Sequence, residues 1–164
     1  MVLTKLKNLT GGPKMKETKR IVVPVDFSEI TNKLVDYAVY MANKLAAEIH
    51  FLHAVHFYAG DSMVGFPYAQ ECEAKLITDA EERMSNILAD NKERCPTCTG
   101  KVVIGDPVEK IVEFAQAKES DLIIISTHGV KGLEKILLGS VAERVLKRAH
   151  CPVLFLNPFK NNER

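Results

Sequence analysis

The apolar positions of this chain change period repeatedly along its length. "RIVVPVD" (Arg20–Asp26) is a short, almost unbroken apolar run, the pattern of a strand buried on both faces of a parallel sheet. Ile30, Leu34, Val35, Ala38, Ala42 and Leu45 then recur at helical spacing, with Ser28 placed to cap the helix they define. "EIHFLHAVHF" (Glu48–Phe57) predicts a second strand, and "YAGDSMVGFP" a long glycine-containing loop. Leu76, Ile77, Ala80, Met84, Ile87 and Leu88 mark a second amphipathic helix. "KVVIG" (Lys101–Gly105) is the third strand. Asp106, Pro107 and Glu109 follow as N-cap, first-turn proline and capping-box acid for a helix with Ile111, Val112, Phe114 and Ala115 on its core face. "DLIIIS" (Asp121–Ser126) is the fourth strand. Ser140 and Glu143 form a second capping box, opening a helix through Val145 and Leu146 to about His150, and "CPVLFLN" (Cys151–Asn157) is the fifth strand.

Strands alternating with helices predict an α/β fold, a doubly wound five-stranded parallel sheet with helices on both faces. In the order 3-2-1-4-5, the winding reverses between strands one and four. Ligands of such sheets bind beyond the carboxyl ends of the strands at that reversal. The flanking segments are "VPVDFSE" and "STHGVKGLEKILLGS". Residues 1–18 show no sustained apolar period and read as a flexible N-terminal extension or an expression leader; residues 19–159 form the domain, and 160–164 a tail.

Composition narrows the classes without choosing among them. The chain has 164 residues, 46% hydrophobic and 26% charged, enough for one globular core without a staple. A net charge of +1 offers no global argument for nucleic acid or an acidic membrane surface, and no apolar run has the length of a membrane span. The basic start lacks the apolar core of a secretory signal, so a cytoplasmic address is expected. Of Cys72, Cys95, Cys98 and Cys151, the pair Cys95-Pro96-Thr97-Cys98 has redox or zinc spacing. It has no second pair and does not open a helix, so it reads as a plain loop with two thiols, a labile disulfide being the alternative.

Two segments carry candidate chemistry. A phosphate needs converging backbone N–H groups, close approach and a helix N-terminus behind them. Gly129 allows a tight turn, Gly139 allows close approach, and Ser140 is the expected cap; the plainer reading is a turn and a capped helix. Asp26 either accepts bonds from an adenine amino group and ribose hydroxyls or caps the following helix beside Ser28. His128 reads as a loop-packing or phosphate-contacting residue rather than a general base. No Walker loop, dinucleotide glycine fingerprint or nucleophile elbow is present in the sequence. His53 and His56 are three apart on one strand and point to opposite faces, which argues against a shared metal.

Over Lys19–Leu156 the chain resembles the universal stress protein family, through "IVVPVDFSE", "FLHAV", "GDP", "LIIISTHG" and "LLGSVAERVLKRAHCPVLFL". The resemblance implies a Rossmann-like, adenine-nucleotide α-hydrolase-like fold. The family's ATP-binding branch has the motif G-x2-G-x9-G-[ST]. The pair Gly129/Gly132 fails its spacing, since only six residues separate Gly132 from Gly139. With Gly129 as the second glycine, nine residues separate it from Gly139-Ser140, and Ser126 stands where the first glycine is usual. By resemblance, Pro24, Val25 and Asp26 line the adenine and ribose end. Ala54 replaces a usual valine there. Gly129, Gly139, Ser140 and Val141 hold phosphates, with Ser126 and His128 nearby.

The function so implied is an ATP-binding module of the stress response (or one for AMP or another adenine nucleotide), with Mg2+ as a companion and slow or absent hydrolysis. The alternatives are a dimeric interaction protein that binds no nucleotide and a weak Mg-dependent ATPase. Strand five, "PVLFL" (Pro152–Leu156), is apolar and expected at a sheet edge, where the resemblance implies pairing in a homodimer. A protein partner of unknown identity is expected, with neither nucleic acid nor membrane.

Overall fold

The computed structural model describes residues 17–56, 66–127 and 138–159. Five parallel strands, β1 (Arg20–Pro24), β2 (Glu48–Val55), β3 (Thr99–Ile104), β4 (Leu122–Ser126) and β5 (Val153–Leu156), form one sheet in the order β3-β2-β1-β4-β5. Between them run α1 (Thr31–Leu45), α2 (Phe66–Asp90), α3 (Pro107–Ala117) and α4 (Ser140–Arg148). Alternate side chains of each strand feed two cores. Ile21, Val23, Ile49 and Phe51 join Leu34, Val35, Ala38, Met84 and Ile87 on the α1/α2 face. Val22, Leu52, Ile123 and Ile125 join Val108, Ile111, Ala142 and Val145 on the α3/α4 face. That two-sided burial is why β1 and β4 read as nearly continuous apolar runs. Among the described residues no helix is long and apolar enough to cross a membrane.

Sequence and structure differ where a tertiary contact overrides a local signal. β1 ends at Pro24 rather than Asp26, because Asp26 turns into the following loop. α1 begins at Thr31 with Ile30 at its N-cap and no side-chain cap, so Ser28 does not cap it; the Ser28 hydroxyl donates to Asp26. Leu45 and Leu76, counted on apolar stripes, are exposed. The box at Ser140 does not form. Gly139 is the N-cap, Ser140 is the first helical residue, and Glu143 pairs with Lys147 at 2.7 Å. Cys95 and Cys98, read as free thiols, are joined in a disulfide.

The third helix starts as its sequence dictates. Asp106 Oδ1 accepts from Val108 N at 3.0 Å and Glu109 N at 3.1 Å, with Pro107 in the first turn. Gly105 before it has φ 138°, a backbone that side chains rarely adopt, so the backbone demands glycine; a Cβ there would meet only the flexible Lys110 side chain, which can move aside.

Candidate functional site

The crevice at the carboxyl ends of the strands follows from how β1 is paired. β1 runs beside β2 through Pro24, opposite Leu52, but its register with β4 goes no further than Val22, opposite Ile123. Proline has no N–H to give a neighbouring strand. The central strands therefore part at the point where the winding direction reverses. Pro24 is half-buried and Val25 buried there, with Val25 N donating to Leu52 O at 2.9 Å.

Asp26 stands at the mouth of this gap and is exposed. Its Oδ1 accepts from Ser28 N at 3.1 Å, Ser28 Oγ at 2.7 Å and Thr31 Oγ1 at 3.2 Å. The capping reading of Asp26 does not hold, since α1 has no side-chain cap; its Oδ1 instead ties together the loop that leads into the helix.

Phe27 next to it has φ 57°, a left-handed backbone that bulky residues avoid. Ala46 and Glu119 share that conformation at helix ends, where it is common. Phe27 instead precedes a helix, and side chains from two other elements hold it. The His53 ring from β2 lies 4.3 Å from its centroid, and the Arg83 guanidinium from α2 lies over it at 5.9 Å. Strain of about 1–3 kcal/mol persists only where surroundings over-determine it. His53 Nδ1 also lies 2.8 Å from Val25 O. A carbonyl only accepts, so Nδ1 carries the proton and Nε2 remains an acceptor.

Sequence reasoning placed neither Phe27, His53 nor Arg83 in a site. The available signals were adjacency for Phe27, beside Asp26, and strand alternation for His53, which shares a sheet face with Phe51. Nothing in the local sequence marked Arg83. His53 stacks on Phe27 on the α1/α2 face, whereas His50 meets Phe114 of α3 on the opposite face. Ala54, half-buried and opposite Val103 of β3, lies beyond the end of β1.

On the β4 side, Ser126 is half-buried and pairs with Leu156 of β5. Gly139 N donates to Thr127 O at 2.8 Å, drawing the N-terminus of α4 onto the end of β4. A Cβ on Gly139 would lie 3.1 Å from that carbonyl oxygen, so the close approach is made to the protein's own backbone. Ser140 is exposed and Val141 half-buried in the first turn of α4, whose unpaired N–H groups form the positive end of the helix. His128 and Gly129 lie outside the described residues, as does most of the predicted phosphate loop. Further around the rim, Arg144 Nη1 approaches Asp106 Oδ2 at 3.6 Å. The capping bond from Glu109 N, helped by Arg144 and His56, holds the Asp106 carboxyl below its usual range.

Burial pushes the imidazoles of His50 and His53 below the usual histidine range. For His53 the Val25 carbonyl and Asp26 act upward and Arg83 downward; for His50, Lys118 and Arg20 act downward and Glu48 upward. Below about pH 6.5 the unfolded chain takes up protons that the folded chain refuses. The resulting stability is complete above that value and declines as pH falls toward the folded values. The thermal midpoint is therefore expected to drop from pH 7 to pH 5, well above the titration of Asp106. His53→Gln should lessen the drop; an equal drop in the variant would remove His53 as a source.

Three comparisons with known proteins agree. The model of the universal stress protein family matches residues 17–157. Universal stress protein MJ0531 of Methanocaldococcus jannaschii is 37% identical over 139 residues, covering 83% of this chain and 80% of the relative. MJ0577 of the same organism is 30% identical over 150 residues, covering 83% and 93%. The solved structure of MJ0577 superposes with a TM-score of 0.76 over 90% of this chain and all of that one. A universal stress protein solved in complex with cAMP has a TM-score of 0.63 at 23% identity, over 87% and 99% of the two chains. One from Archaeoglobus fulgidus in complex with dAMP has a TM-score of 0.62 at 20% identity, over 85% and 98%. At those identities the last two show a shared fold.

Proposed function

The chain belongs to the universal stress protein family, and from that premise we propose that it is an adenine-nucleotide-binding module of the stress response, with ATP as the favoured ligand. The observation that carries the reading is the juxtaposition of two rims across one crevice. The Pro24–Val25–Asp26 turn leaves β1, and the N-terminus of α4 is drawn by Gly139 onto the end of β4. An exposed carboxylate suits ribose hydroxyls or an adenine amino group. A helix N-terminus behind a glycine suits phosphate. The cAMP and dAMP complexes of other members of the fold support an adenine ligand.

Binding is proposed to regulate, with hydrolysis slow or absent. Among the described rim residues, the carboxylate nearest the crevice already commits Oδ1 to its own loop, and Arg144 leans on Asp106. Neither arrangement supplies the poised base and cation of rapid phosphoryl transfer. Mg2+ would enter with the phosphates. β5 is an edge strand of half-buried apolar side chains, and the proposed homodimer pairs Pro152–Leu156 across a two-fold axis.

The test is the melting temperature of purified protein with and without ATP and Mg2+, together with assay of the purified material for bound nucleotide. A ligand at a hundredfold excess over Kd that binds only the folded state stabilises it by about 2.7 kcal/mol. No shift at millimolar ATP, with no co-purified nucleotide, defeats the proposal in favour of a dimeric interaction protein. Phosphate release over hours distinguishes a weak ATPase.

A further inference from the structure

The motif that nucleotide binding leaves unused is Cys95-Pro96-Thr97-Cys98. We infer that these cysteines are a reversible dithiol–disulfide couple, an exchange site for external thiols at the end of the sheet opposite the nucleotide rim. The inference does not depend on nucleotide binding. The disulfide joins residues three apart in the turn between α2 and β3. A bond closing so small a loop removes little entropy from the unfolded chain, so it is a poor staple.

The turn is held independently of it. Cys95 N donates to Asn91 O at 2.8 Å, and buried Asn91 donates through Nδ2 to Ile87 O at 2.9 Å. From α1, Asn43 Nδ2 reaches Arg94 O at 3.1 Å, and Asp36 pairs with Arg94 at 2.6 Å. Cys98 N donates to Cys95 O at 3.1 Å, which keeps the two residues adjacent when the sulfurs part. Both cysteines pack on the α1/α2 core. As thiols they are small apolar side chains suited to the same environment. Reduction therefore leaves a folded domain whose thiols are positioned to close again.

Accessibility sets the direction of attack. Cys95 is 6% exposed, whereas Cys98 is half-buried beside exposed Pro96 and Thr97. An external thiolate attacks Cys98 Sγ; the Sγ–Sγ bond breaks, and its electron pair leaves on Cys95 Sγ, which takes a proton. A second thiol attacks the mixed disulfide and releases Cys98. The balance is protein disulfide plus two RSH giving protein dithiol plus RSSR, and the reverse reaction oxidises the protein with RSSR. Exposed Cys72 and half-buried Cys151 are unpaired and lie on other segments.

The experiment uses the full chain carrying Cys72→Ser and Cys151→Ser, equilibrated with graded mixtures of reduced and oxidised dithiothreitol. Free thiols are trapped by alkylation and counted by mass. Both thiols should appear together in one transition that superposes from the reduced and oxidised directions, with the reduced protein still unfolding cooperatively. With oxidised glutathione, Cys95→Ser should form a one-to-one adduct at Cys98. Cys98→Ser should react at least about tenfold more slowly, its remaining thiol being buried. The inference is overturned if thiols appear only in denaturant, if the reduced domain unfolds, if the pair stays reduced or holds zinc at every mixture, or if the two single variants react equally fast.

Discussion

Replacing Gly139 with valine is expected to weaken ATP binding at least about a hundredfold, a loss of ~2.7 kcal/mol. A Cβ at this position already lies 3.1 Å from Thr127 O, and valine adds two γ-carbons beyond it. They cannot be seated while Gly139 N donates to that oxygen at 2.8 Å. The first turn of α4 must therefore move off the end of β4, carrying Ser140 and its N–H groups away from the crevice. Overpacking should also cost about 1–3 kcal/mol of stability. The two effects separate when ATP binding is measured by calorimetry on protein shown by circular dichroism to be folded. Gly139→Ala, with one carbon to accommodate, should retain most of the affinity. A folded valine variant whose Kd stays within about threefold of the parent, ~0.7 kcal/mol, would place the phosphate site elsewhere.

Phe51→Ala is expected to destabilise the domain by about 3–5 kcal/mol, in the range found for phenylalanine truncation in close-packed cores. Phe51 is fully buried in the middle of β2, between Val23 of β1 and Gly100 of β3, and is part of the core beneath α1 and α2. A domain with about 5–15 kcal/mol of total stability would lose a large share of it. Urea unfolding should show a lower midpoint. Leu45→Ala supplies the contrast: Leu45 is 40% exposed at the end of α1, and its loss should stay within about 0.5 kcal/mol. A cost below about 1 kcal/mol for Phe51→Ala would show that the core collapses to fill the space.

The same position shows why the fold was legible. Phe51 and Ile49 face one helical layer and Leu52 the other, and that burial on both faces is why apolar residues fall on both sides of the strand. Asp106 and Pro107 were equally legible, because a cap and its amides are close neighbours in sequence. The element order restricted the sheet to doubly wound arrangements, and within the order 3-2-1-4-5, which the structure adopts, the winding reverses between β1 and β4. Of the predicted site residues, Pro24, Val25, Asp26, Ala54 and Ser126 lie at or just beyond the carboxyl ends of β1, β2 and β4, and Gly139, Ser140 and Val141 at the N-terminus of α4. His128 and Gly129 were predicted there too and fall outside the described residues.

The amino-acid sequence by itself thus determined the α/β class and the family, and through the family the strand order. These are written in periodicity, local capping chemistry and element order. Only the tertiary structure decided which residues do the local work. Gly139 rather than Ser140 caps α4, because Thr127 O, remote in sequence, stands where a side chain would go. Phe27 adopts a left-handed backbone because its ring is held by His53 from one element and Arg83 from another. Arg94, in the turn that carries the Cys95–Cys98 disulfide, is tied to Asn43 and Asp36 of α1. In each case the deciding contact joins segments far apart in the chain, whose energies are invisible to a local pattern until the sheet brings them together.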